Sequence, residues 1–562
     1  MIDMRYKILF VAAIAGLLSA TCQDVLAQQT KRVEVTSIFL PDVAPAKKIM
    51  APTEINDAPV IDPEIHYSVE PETWQIALDS HNYSPAIASF WDMDRSKHFF
   101  LKMGAGYPFN TDGAFRYTLQ NKRVGFMSVG VDHLGDLMAR QNVEGLNRDI
   151  AHSYTLRNRA SVAGGVFVGR YLFEARSAYD YDIYNRYAEL VETPARLDFH
   201  DVDVALRFGD DFADLSYLNF SVEAHGGLWA HKLPLSTDNS SLANEFRAGG
   251  SVRVARDIYD NEITIDAGYD MWSTTDVLYR DTRFDVGVGY RRKFGIVDVD
   301  AGVAYMYDKV KACDKASHFV MPRAKILVDL QKTAFAPYVE LTTTVSQNGV
   351  MSLYDTNPFI DWGYMQSRIA GMPNTRSYNL SAGFSGSAIS SRLAYRAYVG
   401  ADFMRNTLYW FVTRTGLFGV DAGGNNRLFF GLEVEYKPLS GLAIDLGVNA
   451  HVDSNDMPYV ISESKFTADA EISYILKRWK FYVSADVLGR RQWSGEKDAE
   501  GKAPIVFSMP TKVDLGAGVC FRASQRVEVY VDGHNLLNSK IYDWANYYSQ
   551  GAGFTAGVKL NF

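Results

Sequence analysis

The stretch Glu262-Ile263-Thr264-Ile265-Asp266-Ala267-Gly268-Tyr269-Asp270-Met271 decides the fold. Ile263, Ile265, Ala267, Tyr269 and Met271 alternate strictly with Glu262, Thr264, Asp266, Gly268 and Asp270. A period of two means extended chain with one apolar face and one wet face. The next run repeats it, with Phe284, Val286, Val288 and Tyr290 opposite Arg283, Asp285, Gly287, Gly289 and Arg291. A third sets Val297, Val299, Ala301, Val303 and Tyr305 against Asp298, Asp300 and Gly302. Similar runs begin at His98 and continue to Phe562.

A soluble sandwich also alternates, so the period alone does not choose between water and lipid. Run length does: these runs reach the ~9–11 residues that a tilted strand needs to cross a bilayer. Their apolar faces mix small and large residues, as lipid contact permits. Aromatics gather at run ends, as in Tyr179-Asp180-Tyr181, Tyr305-Met306-Tyr307 and Tyr547-Tyr548, where interfacial girdles belong. At 562 residues the chain is too long for an ordinary single core, yet its main body has no separating linkers. A barrel grows by adding strands, which resolves the conflict.

Connections alternate between short ones, such as Gly169-Arg170, Lys293-Phe294-Gly295 and Ser440-Gly441, and long ones around 137–152, 232–243, 309–317, 347–376, 404–425, 454–464 and 495–510. Counting runs predicts an all-β transmembrane antiparallel barrel of about 22 strands, within a range of 18–24, over residues 98–562. Before it, Met4-Arg5-Tyr6-Lys7, an apolar core from Ile8 to Leu18, and Val25-Leu26-Ala27 read as a signal peptide over 1–27. Lipidation at Cys22 is the alternative, disfavoured by the bulk of Thr21 just before it. Residues 28–97, punctuated by Pro41, Pro45, Pro52, Pro59, Pro63, Pro71 and Pro85, read as an extended periplasmic or luminal segment. The expected location is the outer membrane of a Gram-negative bacterium, with outer-membrane lipid as a partner.

The C-terminus carries a family resemblance. Asn535-Leu536-Leu537-Asn538, then Tyr542, Trp544, Tyr547 and Gly553, lead into the last run, Phe554 to Phe562. This arrangement resembles the end of TonB-dependent receptors, whose barrels are also of about this size. The resemblance implies recognition of terminal Phe562 by the barrel-assembly machinery and receptor-type uptake or passage of a polar solute. It also implies a periplasmic energy-coupling partner or an outer-membrane partner protein. Family members carry a glycine-rich plug ahead of the barrel, and residues 28–97 lack such signatures. Val33-Glu34-Val35-Thr36 is too short to stand for the coupling box. The resemblance therefore covers a plug-less barrel, with 28–97 as the candidate gate, and stops short of energy-coupled import. A non-transporting accessory barrel of an outer-membrane complex is the alternative.

Little else points to chemistry. A net charge of −9 and the lack of a polybasic run argue against nucleic acid. The sequence has no phosphate-binding, dinucleotide or metalloprotease motif, so no enzyme activity and no cofactor are expected. Gly383-Phe384-Ser385-Gly386 only approximates a nucleophile elbow, and His152, His451 and His534 are scattered. Cys313 and Cys520 read as idle thiols. Asp266, Asp270, Arg283, Asp285, Arg291, Asp298 and Asp300 are candidate lumen-lining residues, guiding a solute or simply wetting the lumen. Tyr354, Phe359, Trp362, Tyr364 and Trp410 are candidate loop contacts, for stacking on a sugar or partner or for packing within their own loops.

Overall fold

A computed structural model describes residues 98–562 apart from 122–123, 137–140, 143–148, 151–154, 187–194, 234–240, 275–278, 311–312, 314–315, 331–334, 390–391, 456, 540, 546 and 549–550. The signal peptide, Cys22, Val33–Thr36, the candidate gate 28–97 and His152 lie outside the described residues.

One antiparallel sheet closes on itself. Its first strand, Phe99–Tyr107, pairs with its last, Gly553–Asn561, from Phe100↔Asn561 to Tyr107↔Phe554. The Phe562 amide donates to the Phe99 carbonyl at 2.8 Å, and the two rings meet edge-on, 5.9 Å apart. The sheet holds 24 strands. Two of these, Arg491–Gly495 and Ile505–Met509, form a loop hairpin leaning on the strand Leu393–Val412, so 22 make up the barrel wall. No helix among the described residues is long and apolar enough to cross a membrane.

Ile265 and Tyr269 stand 52% and 46% exposed on the outside of an otherwise unpartnered barrel, where lipid covers them, while Asp266 and Asp270 point inward. Inward charges pair across neighbouring strands: Arg253 with Asp266 at 2.6 Å, Arg291 with Asp298 at 2.9 Å, Lys325 with Glu340 at 3.4 Å. Each exposed pair contributes only ~0.2–1 kcal/mol, so these ladders wet the lumen more than they hold it. The tight turns on the side of the termini use glycine where φ is positive, at Gly169, Gly295 and Gly441.

Two readings need correction. The segment 404–425 is not a loop: the strands Leu393–Val412 and Phe418–Leu439 run 20 and 22 residues, about twice what a crossing needs, leaving only 413–417 as the turn. Asn406, at positive φ, absorbs a bulge that lets this tall hairpin bend. Tyr547-Tyr548 is also not a girdle. It forms a small loop hairpin with Tyr542–Trp544, and Tyr547 is buried. The Asn-Leu-x-Asn stretch shapes that same loop: Asn535 and Asn538 hold positive φ, and the Asn535 side chain bonds both the Ser539 amide and carbonyl, at 3.0 and 2.9 Å.

Candidate functional site: a capped mouth over a charged lumen

The longest loop folds into its own small domain across the mouth. Residues 350–372 switch from period two to spacings of three and four: Val350, Leu353 and Tyr354, then Trp362 and Met365, then Ile369 and Met372. That spacing puts apolar side chains on one side of a helix. The chain obliges with α1 (Val350–Thr356), α2 (Trp362–Met365) and a 3-10 turn at Ile369–Gly371. Asp361 starts α2 by accepting the Tyr364 amide at 3.1 Å. This change of period is the signal in the sequence that reveals a folded loop.

All seven of those apolar residues are buried, in one cluster with residues from the barrel rim. On one side Tyr354 packs 5.5 Å from both Phe199 and Trp229. On the other, Phe359 stacks on Tyr547 at 3.9 Å, and Ile360 bridges to Phe418. Phe418 is fully buried among Trp493, Trp544 and Tyr547, with centroids 5.0, 5.7 and 6.0 Å away. Phe199 and Phe418 belong to the sixth and sixteenth of the 22 wall strands, on opposite sides of the cylinder. The loop therefore spans the mouth rather than lying along one edge.

Polar fastenings surround this apolar seal. Asn374 donates to Asp281 at 2.9 Å and Asp308 at 2.7 Å, while its own oxygen accepts the Asn348 amide at 3.2 Å. Glu245 accepts the Met351 amide at 3.3 Å, and Arg247 beside it pairs with Asp201 and Asp203 at 2.5 and 2.7 Å. The second Asp361 oxygen accepts the hydroxyls of Thr413 at 2.8 Å and Thr415 at 2.7 Å, tying α2 to the tip of the tall hairpin. Asp361→Ala removes both and the helix cap. It is expected to loosen the cap by about 1–3 kcal/mol, seen as faster proteolysis within 357–372 and an unchanged barrel band on unheated gels. In α1, loss of hydration pushes the Asp355 carboxyl up to about 6, opposed by Arg247 and reinforced by Asp182 and Asp180.

The candidate lumen residues are spread along the wall and do not converge. Arg283 sits high, stacked 4.1 Å over Trp272 and donating to the Val345 carbonyl at 3.4 Å. Asp266, Asp270 and Asp285 line a recess of about 630 Å³, together with Arg207, His225, Arg253 and Arg323. His225 meets Asp270 at 2.9 Å. Arg291, Asp298 and Asp300 lie near the tight-turn end, with Arg291 directly opposite Asp300 in register. Of the loop aromatics, Tyr354, Trp362 and Trp410 are buried in the cap cluster, and Phe359 packs against it. Tyr364 packs against both clusters, under Arg368 at 3.8 Å. Ser385 lies within the strand Thr375–Ala388, and His451 faces Asp453 at 3.3 Å. Cys313 and Cys520 form no disulfide. Among the described residues no three His, Cys, Asp or Glu side chains are grouped to hold a metal.

No known family model matches the sequence, and no curated protein sequence matches it. Solved structures match in fold. The FrpB iron transporter of Neisseria meningitidis superposes with a TM-score of 0.67 at 12% identity, covering 83% of this chain and 81% of its own. The copper transporter OprC gives 0.63 at 11% identity, covering 83% and 80%. The siderophore receptor PiuA of Acinetobacter baumannii gives 0.61 at 10% identity, covering 83% and 82%. At such identities the likeness is one of fold: the chain is an outer-membrane β-barrel with the architecture of these receptors and transporters.

Proposed function

We propose that this barrel takes a polar solute through the outer membrane in the manner of a receptor, with residues 347–374 as its outer door. One observation carries the reading: the mouth is closed by side-chain packing, while the wall below it is lined with charge. Across the mouth the cap's backbone meets the far rim at one place, where the Asp361 amide donates to the Phe418 carbonyl at 2.8 Å and the Phe418 amide to the Phe359 carbonyl at 3.1 Å. The cap can leave without breaking any rung of the barrel. A charged lumen is one that water and a polar solute can occupy.

The depth of the aromatic seal favours a second reading, a closed accessory barrel that holds partner proteins by its outer loops. A reversible lock separates the two. Phe359→Cys with Tyr547→Cys, in a chain also carrying Cys313→Ser and Cys520→Ser, should staple the cap to the far rim. Proteoliposomes should then pass small sugars or amino acids when reduced and block them when oxidised. Equal flux in both states would remove the cap as door, and no flux in either would favour the accessory role.

A further inference from the structure

The barrel wall has a seam. The strands Ser317–Val328 and Ala336–Ser346 pair at only four positions, from Leu327↔Tyr338 to Ala324↔Leu341. Each is fully paired on its other side, over twelve positions with Val297–Val310 and over eleven with Thr375–Ala388. Pairing thus stops at Ala324, two residues short of Pro322, which has no N–H to give a rung toward Thr343. Above Ala324, Ser317–Arg323 and Thr342–Ser346 face each other with no paired register between them.

In lipid, a polar backbone group without a rung needs another partner. Side chains supply two. The Thr343 hydroxyl donates to the Pro322 carbonyl at 2.8 Å, and the Tyr378 hydroxyl reaches past an intervening strand to the Val320 carbonyl at 3.3 Å. Two hydroxyls are easier to part than a ladder. Val320 stands 53% exposed on the outside, level in register with Tyr305 on one flank, while Tyr378 closes the other flank. Two tyrosines thus flank the seam, side chains that favour the membrane–water interface. On the lumen side, at the same level, Met321, Pro322 and Thr343 line the same recess as Arg323 and Asp285. Arg323 bonds the Thr264 hydroxyl at 3.4 Å, and neither it nor Asp285 forms an ion pair among the described residues.

We propose that this seam is a lateral portal through which the head group of a zwitterionic phospholipid enters the lumen recess while its acyl chains stay in the bilayer. Among the described residues the recess offers two guanidinium groups without a carboxylate partner, Arg323 and Arg207, the latter held by the Ser221 hydroxyl and the Asp210 carbonyl, beside the Asp285 carboxylate, matching a phosphate and an ammonium. The portal works whether or not a solute passes along the barrel axis.

The full chain in nanodiscs tests this by two readouts. Hydrogen exchange should show seam-facing amides of Thr342–Ser346 exchanging at least tenfold faster than amides of Arg376–Leu380 at the same height. A diazirine-bearing phosphatidylethanolamine should cross-link to peptides holding Val320 and Val345 in preference to the rest of the belt. Pro322→Val, which restores the N–H, should slow the exchange and reduce the cross-link at least fivefold while the unheated barrel band persists. Arg323→Gln should reduce the cross-link and leave the exchange unchanged. Uniform labelling around the belt, or slow exchange in the unaltered chain, would overturn the portal. Equal labelling by phosphatidylglycerol would overturn the zwitterionic head group.

Discussion

Phe418→Ala should open the cap without unfolding the barrel. The ring is fully buried and touches three aromatic partners from two separate loop hairpins, so its loss leaves a cavity those neighbours cannot fill together. A Phe→Ala change at such a site costs about 3–5 kcal/mol. Here the cost falls on cap docking, because the one wall rung at Phe418, to Val412, comes from the backbone, and its other backbone contact is the bridge to Ile360 of the cap. At tenfold per 1.4 kcal/mol, the undocked population should rise on the order of a hundredfold or more. Protease cleavage within 347–374 should accelerate accordingly, with the barrel band on unheated gels retained. Loss of that band would place Phe418 in the barrel's own stability instead.

Asn374→Leu should release the cap from its other end. Asn374 is 1% exposed and stands between two buried carboxylates, Asp281 and Asp308, bonding both. Leucine keeps the volume and removes two hydrogen bonds to charged groups, each worth about 1.5–3 kcal/mol. Arg283 and Arg376, at 3.6 and 3.8 Å, are too far to take over both carboxylates without moving. Asn374→Asp should do as much damage by adding a third carboxylate, whereas Asn374→Gln should retain part of the docking. Cap proteolysis across the three variants checks that order.

The barrel was legible from the sequence because lipid imposes a simple rule. Every wall residue must face either in or out, and runs such as Ile263 to Met271 write that alternation directly. Strand number followed from the spacing of turns, since glycines at Gly169, Gly295 and Gly441 mark one end of the hairpins. The cap was not read, although its residues were singled out. In the sequence Tyr354, Trp362 and Trp410 read as loop contacts that stack on a sugar or partner or pack within their own loops, and the choice depends on which rim residues lie across a 22-strand closure. Phe199 and Phe418 are more than two hundred residues apart in the chain, and no local pattern links them. The seam at Pro322 was hidden for a similar reason: a proline in a strand signals a missing donor, but not which neighbour loses its partner.

Single-channel conductance in planar bilayers tests the central claim most directly, comparing the full chain with one in which residues 350–372 are replaced by a short Gly-Ser turn. The full chain should be closed or flicker briefly, and the replacement should give a large, steady conductance. Equal conductance in the two, whether open or closed, would contradict that claim, because the cap would then not be what closes the mouth.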